Sequence, residues 1–134
     1  MFPFFKMYLS IILTVLFLSF NISLSEEQSL GKRLFIKYSC GSCHDIDRRV
    51  VGPSLIEIAK RYGKSEKAIE RVAELIINPE PSNWPGFAYM PPFKIPKEEA
   101  RALARYVLIE APEEAKKKKK EKQYEELDLE LQMH

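Results

Sequence analysis

Cys40 and Cys43 are separated by two residues, His44 follows directly, and the chain contains no other cysteine. The stretch CGSCH admits four chemistries. A zinc site needs four ligands of cysteine, histidine or carboxylate type, and the supply here is two cysteines, His44, and His134 at the end of a charged tail. A redox dithiol needs a helix N-terminus in a βαβ setting to acidify its thiol, whereas the residues before Cys40 have the spacing of a helix that ends there. A structural disulfide would close a small ring, gain little loop entropy and leave His44 without a role. The fourth chemistry is covalent haem attachment, for which C-x-x-C-H is the signature. Each thiol adds to one vinyl group of the same porphyrin, and the imidazole of the next residue reaches the iron from one face. A tethered cofactor needs no deep pocket to retain it, which suits a small domain.

A low-spin electron carrier needs a second axial ligand, and methionine opposite histidine raises the potential. Of four methionines, Met1 and Met7 lie in an apolar leader and Met133 in the tail, which leaves Met90. A lone methionine otherwise reads as core packing. Met90 stands in AYMPPF, where Pro91 and Pro92 fix the backbone that presents its sulfur, and is expected as the ligand.

The positioning elements read as helices separated by Pro/Gly-rich loops. Leu30, Leu34, Phe35 and Tyr38 recur at helical spacing, so Ser29 to about Ser39 forms a first helix running into Cys40. Gly52-Pro53 is a turn. Leu55, Ile58, Ala59 and Tyr62 mark a second helix closed by Gly63, and Ser65 caps a third with the stripe Ile69, Val72, Ala73 and Ile76. The loop from Asn78 to Pro96 holds six of the nine prolines, which reduce the entropy lost on ordering it. A last helix starts near Lys97, carries the stripe Ala100, Leu103, Ala104, Val107 and Leu108, and is expected to stop at Pro112. No segment alternates over a strand length; the domain is all-α.

From about Leu30 to Ile109 the chain resembles a small bacterial class I cytochrome c. The features that carry the resemblance are Cys40-Gly41-Ser42-Cys43-His44, Gly52-Pro53-Ser54-Leu55, Met90-Pro91-Pro92 and the helix from Ala100 to Ile109. The resemblance implies four to five short helices around one covalently attached haem c, with iron held by His44 and Met90. It further implies that the Pro53 carbonyl accepts from the second imidazole nitrogen of His44, that Gly31 and Phe35 pack across Tyr106, and that Trp84 lies near the haem propionates. Two features depart from the short carriers: the segment EPSNWPGFAY before Met90, and the tail.

The chain is 134 residues, 46% hydrophobic and 30% charged, with a formal net charge of +2. That charge is too small to suggest nucleic acid as a partner. Residues 1–25 have one lysine, no acid and an apolar run from Tyr8 to Phe20, within the roughly 7–15 residues of a signal-peptide core. Ser23 and Ser25 suit cleavage before Glu26; an uncleaved anchor is the rival. Either leads to export, hence a periplasmic protein. Residues 26–111 form the haem domain. Residues 112–134, a lysine block followed by an acidic block, are helical or disordered, and read either as a solvated segment or as an arm for a partner or an anionic membrane.

The expected function is an electron carrier, not an enzyme, exchanging electrons with redox protein partners such as a respiratory complex, an oxidase or a sulfur-oxidising enzyme. Leu34, Leu55, Ile58, Ile76, Leu103 and Val107 would keep the haem dry, while Lys37, Arg48, Arg49, Lys94 and Lys97 would steer acidic partners. The alternatives are a haem c subunit of a membrane-bound respiratory or sulfur-oxidising complex, attached by the leader or the tail, and a haem enzyme or gas sensor in which Met90 is not bound. Asp45 reads as a solvated loop acid.

Overall fold

A computed structural model describes residues 28–133. The expected leader, its cleavage point after Ser25, and His134 lie outside the described residues. Among the described residues every regular element is helical.

Helix α1 (Leu30–Lys37) begins where the Ser29 hydroxyl accepts from the Lys32 N–H at 3.2 Å. It ends at Tyr38, and Ser39 turns the chain through a left-handed conformation (φ 55°) into a 3₁₀ turn, Cys40–Ser42. The turn and the αL residue re-aim the chain so that Cys40, Cys43 and His44 follow the helix on a tight bend. Helix α2 (Leu55–Tyr62) starts with a reciprocal cap: Ser54 Oγ accepts from the Glu57 N–H, and the Glu57 carboxylate accepts from the Ser54 N–H. Gly63, at φ 81°, closes it in a conformation that side chains rarely adopt. Helix α3 (Glu66–Ile77) is capped by Ser65 Oγ.

Helix α4 (Lys97–Arg105) packs against α3 and α1. Leu55, Ile69, Leu103 and Leu108 are the largest side chains fully buried between the helices. Each contributes about 1.5–3 kcal/mol relative to exposure, so four of them supply a large part of the stability of a domain this small.

The chain does not stop at Pro112. After α4 it widens into a π turn, Tyr106–Glu110, and continues as α5 (Ala111–Gln132). The Ala111 N–H bonds the Tyr106 carbonyl, five residues back instead of four. In a regular helix the Pro112 ring would collide with the carbonyl four residues before it, that of Leu108; the wider turn gives the ring room. Tyr106, Val107 and Leu108 are buried, so core packing holds the π turn in place. Beyond it the sequence is almost entirely Ala, Lys, Glu, Gln and Leu, all strong helix formers.

Candidate haem site

Cys40, Cys43, His44, Pro53, Trp84 and Met90 all line one cleft. They come from three segments: the turn after α1, the Gly-Pro turn before α2, and the proline-rich loop between α3 and α4. The floor is apolar, built from Leu55 and Ile58 of α2, Ile76 of α3, and Leu103 and Val107 from the last helices. Leu34, expected in that dry shell, is buried in the core but is not part of the cleft wall; Phe35 is.

The imidazole of His44 is fixed from two sides. Its Nδ1 lies 2.8 Å from the Pro53 carbonyl oxygen, which makes Nδ1 the protonated nitrogen and leaves Nε2 a free lone pair. Gly52 packs on the ring: a Cβ there would come within 2.6 Å of Cε1. The Gly52 N–H also bonds the Cys43 carbonyl at 2.8 Å, tying the two turns together. A histidine oriented this tightly, with one nitrogen free beside two thiols, suits an axial ligand.

Both cysteines are free and half-buried. Burial pushes the Cys40 thiol up to about 11, so it stays protonated at neutral pH. That is the opposite of what a redox dithiol requires. Among the described residues no group of three His, Cys, Asp or Glu side chains is arranged to hold a metal ion.

The residues fit a haem in two further respects. The cleft is apolar, and Tyr62 on its lining has a hydroxyl that is buried without a protein partner. Met90 lies in a loop that crosses the cleft wall and is stitched to α3 by the Phe93 N–H, 3.1 Å from the Ile76 carbonyl. Trp84 is half-buried on the same wall, with Phe87 edge-on to it at 6.1 Å and the Arg61 guanidinium 4.6 Å from its ring centre. Arg61 also donates to the Asn83 carbonyl. It thereby fastens the loop segment before Met90 to the end of α2.

Sequence reasoning did not single out Arg61, the hydroxyl of Tyr62, or Gly52 as a packing residue. For Gly52 a signal existed, a glycine beside the turn that must meet His44. For Arg61 and Tyr62 there was none, because their partners lie elsewhere in the chain.

Two expectations about charge concern groups whose partners the structure shows. Asp45 is not simply solvated: its carboxylate pairs with Arg48 at 2.9 Å and accepts from the Asp47 N–H at 3.2 Å, which lower its pKa to about 2. The cations expected to steer partners are largely matched within the chain. Lys37 lies 3.6 Å from Glu99, Arg48 is held by Asp45, Arg49 lies 2.5 Å from Glu57, and Lys97 lies 3.6 Å from Glu70. Meanwhile Val51 and Tyr89, both on the cleft wall, are 46% and 58% exposed.

The expected packing of Gly31 and Phe35 on Tyr106 is present. The Phe35 and Tyr106 rings are 5.3 Å apart, and a Cβ on Gly31 would stand 2.6 Å from Tyr106 Cβ.

Residues 28–109 match the family model for cytochrome c. The chain is 32% identical to cytochrome c-551 of Pseudomonas denitrificans over 80 residues, covering 60% of this chain and 96% of that one. It is 38% identical to cytochrome c-551 of Stutzerimonas stutzeri over 78 residues, covering 58% and 74%. The crystal structure of wild-type Nitrosomonas europaea cytochrome c552 is similar at a TM-score of 0.52 and 33% identity, covering 57% of this chain and 95% of that one.

Proposed function

The chain belongs to the cytochrome c family, and from that premise we propose that it is an exported mono-haem electron carrier serving respiratory redox partners. Members of the family carry covalently attached haem c. The bound group supplies a one-electron couple at its iron; the rest is done by side chains. Cys40 and Cys43 tether it through thioethers. His44 would present Nε2 to the metal while its Nδ1–H donates to the Pro53 carbonyl, which keeps the ring in one tautomer. Met90 would hold the iron through its sulfur from the proline-rich loop, and Trp84 borders the same wall. With His44 and Met90 both holding the metal, no substrate would reach it, and the apolar floor would exclude water.

The observation that carries this reading is the convergence of all six residues, from three separate segments, on one apolar cleft. Partners meet the carrier at the cleft's open edge, where Val51 and Tyr89 are exposed and the neighbouring cations are mostly paired. Apolar contact, more than charge, therefore sets the docking.

Visible spectra of the ferric and ferrous protein, taken with its mass, test the proposal. The expected result is a mass raised by one haem, a ferric band at the red end that marks Met–Fe ligation, and no carbon monoxide binding by the ferrous form. Rapid carbon monoxide binding without that band would make the protein a haem enzyme or sensor instead. The same mass reports whether residues 1–25 are removed, and so whether the exported form is released or anchored.

A further inference from the structure

The cytochrome c match ends at residue 109, yet α5 runs on to Gln132. The domain grips only its beginning. Glu110 accepts from Ser29, Glu114 pairs with Lys32 at 2.9 Å, and Glu113 pairs with Lys64 at 2.9 Å. Every residue from Lys116 to Met133 is exposed. At 1.5 Å per residue this is an arm roughly 25 Å long.

The charges of the arm are segregated. Lys116 to Lys120 and Lys122 occupy its first half, while Glu125, Glu126, Asp128 and Glu130 occupy its second. The order opposes the helix dipole, which favours cations, not acids, in the last turns. Spacing makes it worse. Lys116 with Lys120, Lys118 with Lys122, Glu121 with Glu125, and Glu126 with Glu130 are like charges four apart, an unfavourable arrangement on one helix. Among the described residues the arm holds one internal ion pair, Lys122 to Glu126 at 3.9 Å. Tyr124, Leu127 and Leu131, spaced as one helical face, are 65%, 52% and 70% exposed.

We propose that the arm is an interaction surface for a second copy of this chain, pairing antiparallel. Lysines and acids nearly cancel in number, so a partner of one sign would attract one half of the arm and repel the other. A reversed copy complements both halves. With the two-fold axis at Gln123, Lys116 and Lys120, which share the face of Leu127, lie level with Glu130 and Glu126 of the second copy. The acidic C-terminal turns then meet cations, and the two helix dipoles run opposed. The aliphatic stems of Lys119 and Lys120 lie along the stripe that includes Leu127 of the other copy. The proposal stands on the arm alone and does not depend on the reading of the cleft.

Sedimentation equilibrium of the full haem-loaded protein tests it. The expected result is a monomer–dimer equilibrium at low salt whose dissociation constant rises by roughly tenfold or more as the Debye length shrinks from ~10 Å to ~3 Å. Two arm variants sharpen the test, one carrying Lys116→Glu, Lys118→Glu and Lys120→Glu, the other Glu126→Lys, Asp128→Lys and Glu130→Lys. Each is expected to be monomeric alone, and an equimolar mixture is expected to dimerise. All six side chains are exposed, so an unchanged haem spectrum certifies that the domain is folded. A wild-type protein that stays monomeric overturns the proposal, as does a dimer indifferent to both variants. Binding of the monomer to phosphatidylglycerol vesicles, with no dimer in solution, would overturn it in favour of a membrane arm.

Discussion

Gly52 lies so close to the His44 imidazole that a methyl group at its Cα would stand 2.6 Å from Cε1 and 2.9 Å from Nδ1. Nothing about the backbone demands glycine there, since Gly52 is not among the positive-φ residues; the space does. Gly52→Ala should therefore push the ring away and lengthen the 2.8 Å contact with the Pro53 carbonyl. The expected cost is about 1–3 kcal/mol, the range for overpacking a tight site. It would be read in urea unfolding, together with altered resonances of the His44 ring. A variant as stable as the parent, with those resonances unmoved, would show that the contact does not constrain the histidine.

Met90→Ala separates the ligand role from packing. If the sulfur occupies the second axial position, the red-end ferric band disappears, the ferrous protein gains carbon monoxide binding, and the reduction potential falls, because methionine opposite histidine raises it. The haem mass stays, since the tethers are Cys40 and Cys43. A loss of stability with an unchanged spectrum would reduce Met90 to a filler of the cleft wall.

The parts of this architecture that local chemistry controls were legible. Ser65 and Gly63 announce helix ends within a few residues of themselves, and both do what their types favour. C-x-x-C-H and the Met-Pro-Pro loop are likewise short motifs. The parts that depend on distant partners were not legible. Arg61 reaches Asn83 and Trp84 across more than twenty positions, and Tyr38 donates to Glu99 across 61. Pro112 is the instructive failure. A proline within a helical pattern locally reads as a stop, but the buried run Tyr106 to Leu108 keeps the chain helical, and the π turn absorbs the ring. The charge of Asp45 and Arg48 was visible, their pairing was not.

Acid sensitivity should be concentrated in the turn that carries His44 and in the cap that follows it. The Arg49 guanidinium, and then the Ser54 N–H, lower Glu57 from 4.5 to about 2. Arg48, and then the Asp47 N–H, lower Asp45 from 3.8 to about 2. A carboxylate whose folded pKa is depressed adds stability above its unfolded pKa and loses it as pH falls through the folded one. Stability should thus be level above about pH 4.5 and decline toward pH 2. Glu57→Gln keeps an oxygen for the Ser54 N–H but removes one titrating group. Urea midpoints measured against pH should fall less steeply in that variant. An identical slope would mean that Glu57 is not depressed in the folded state.

Gly31 is the test of how closely α1 and α4 approach. Alanine is favoured over glycine in a helix interior by about 1 kcal/mol, so propensity alone predicts that Gly31→Ala stabilises α1. Packing predicts the reverse. The added Cβ would overlap the Ala102 carbonyl oxygen and come within 2.6 Å of Tyr106 Cβ. Neither can yield cheaply: the carbonyl is main chain of α4, and Tyr106 is buried against Phe35 at the start of the π turn. Relief requires α1 to lift from α4, which disturbs packing at Leu34 and Leu103 together. The packing cost should win, with a net loss of about 1–3 kcal/mol. In a domain of this size each kcal/mol lowers the midpoint by roughly 4–8 °C. Because α1 leads into Cys40, the same shift should reach the thiols and appear as broadened haem resonances. A variant with a raised midpoint would show that the helices separate at little cost, and that glycine is not required at the crossing.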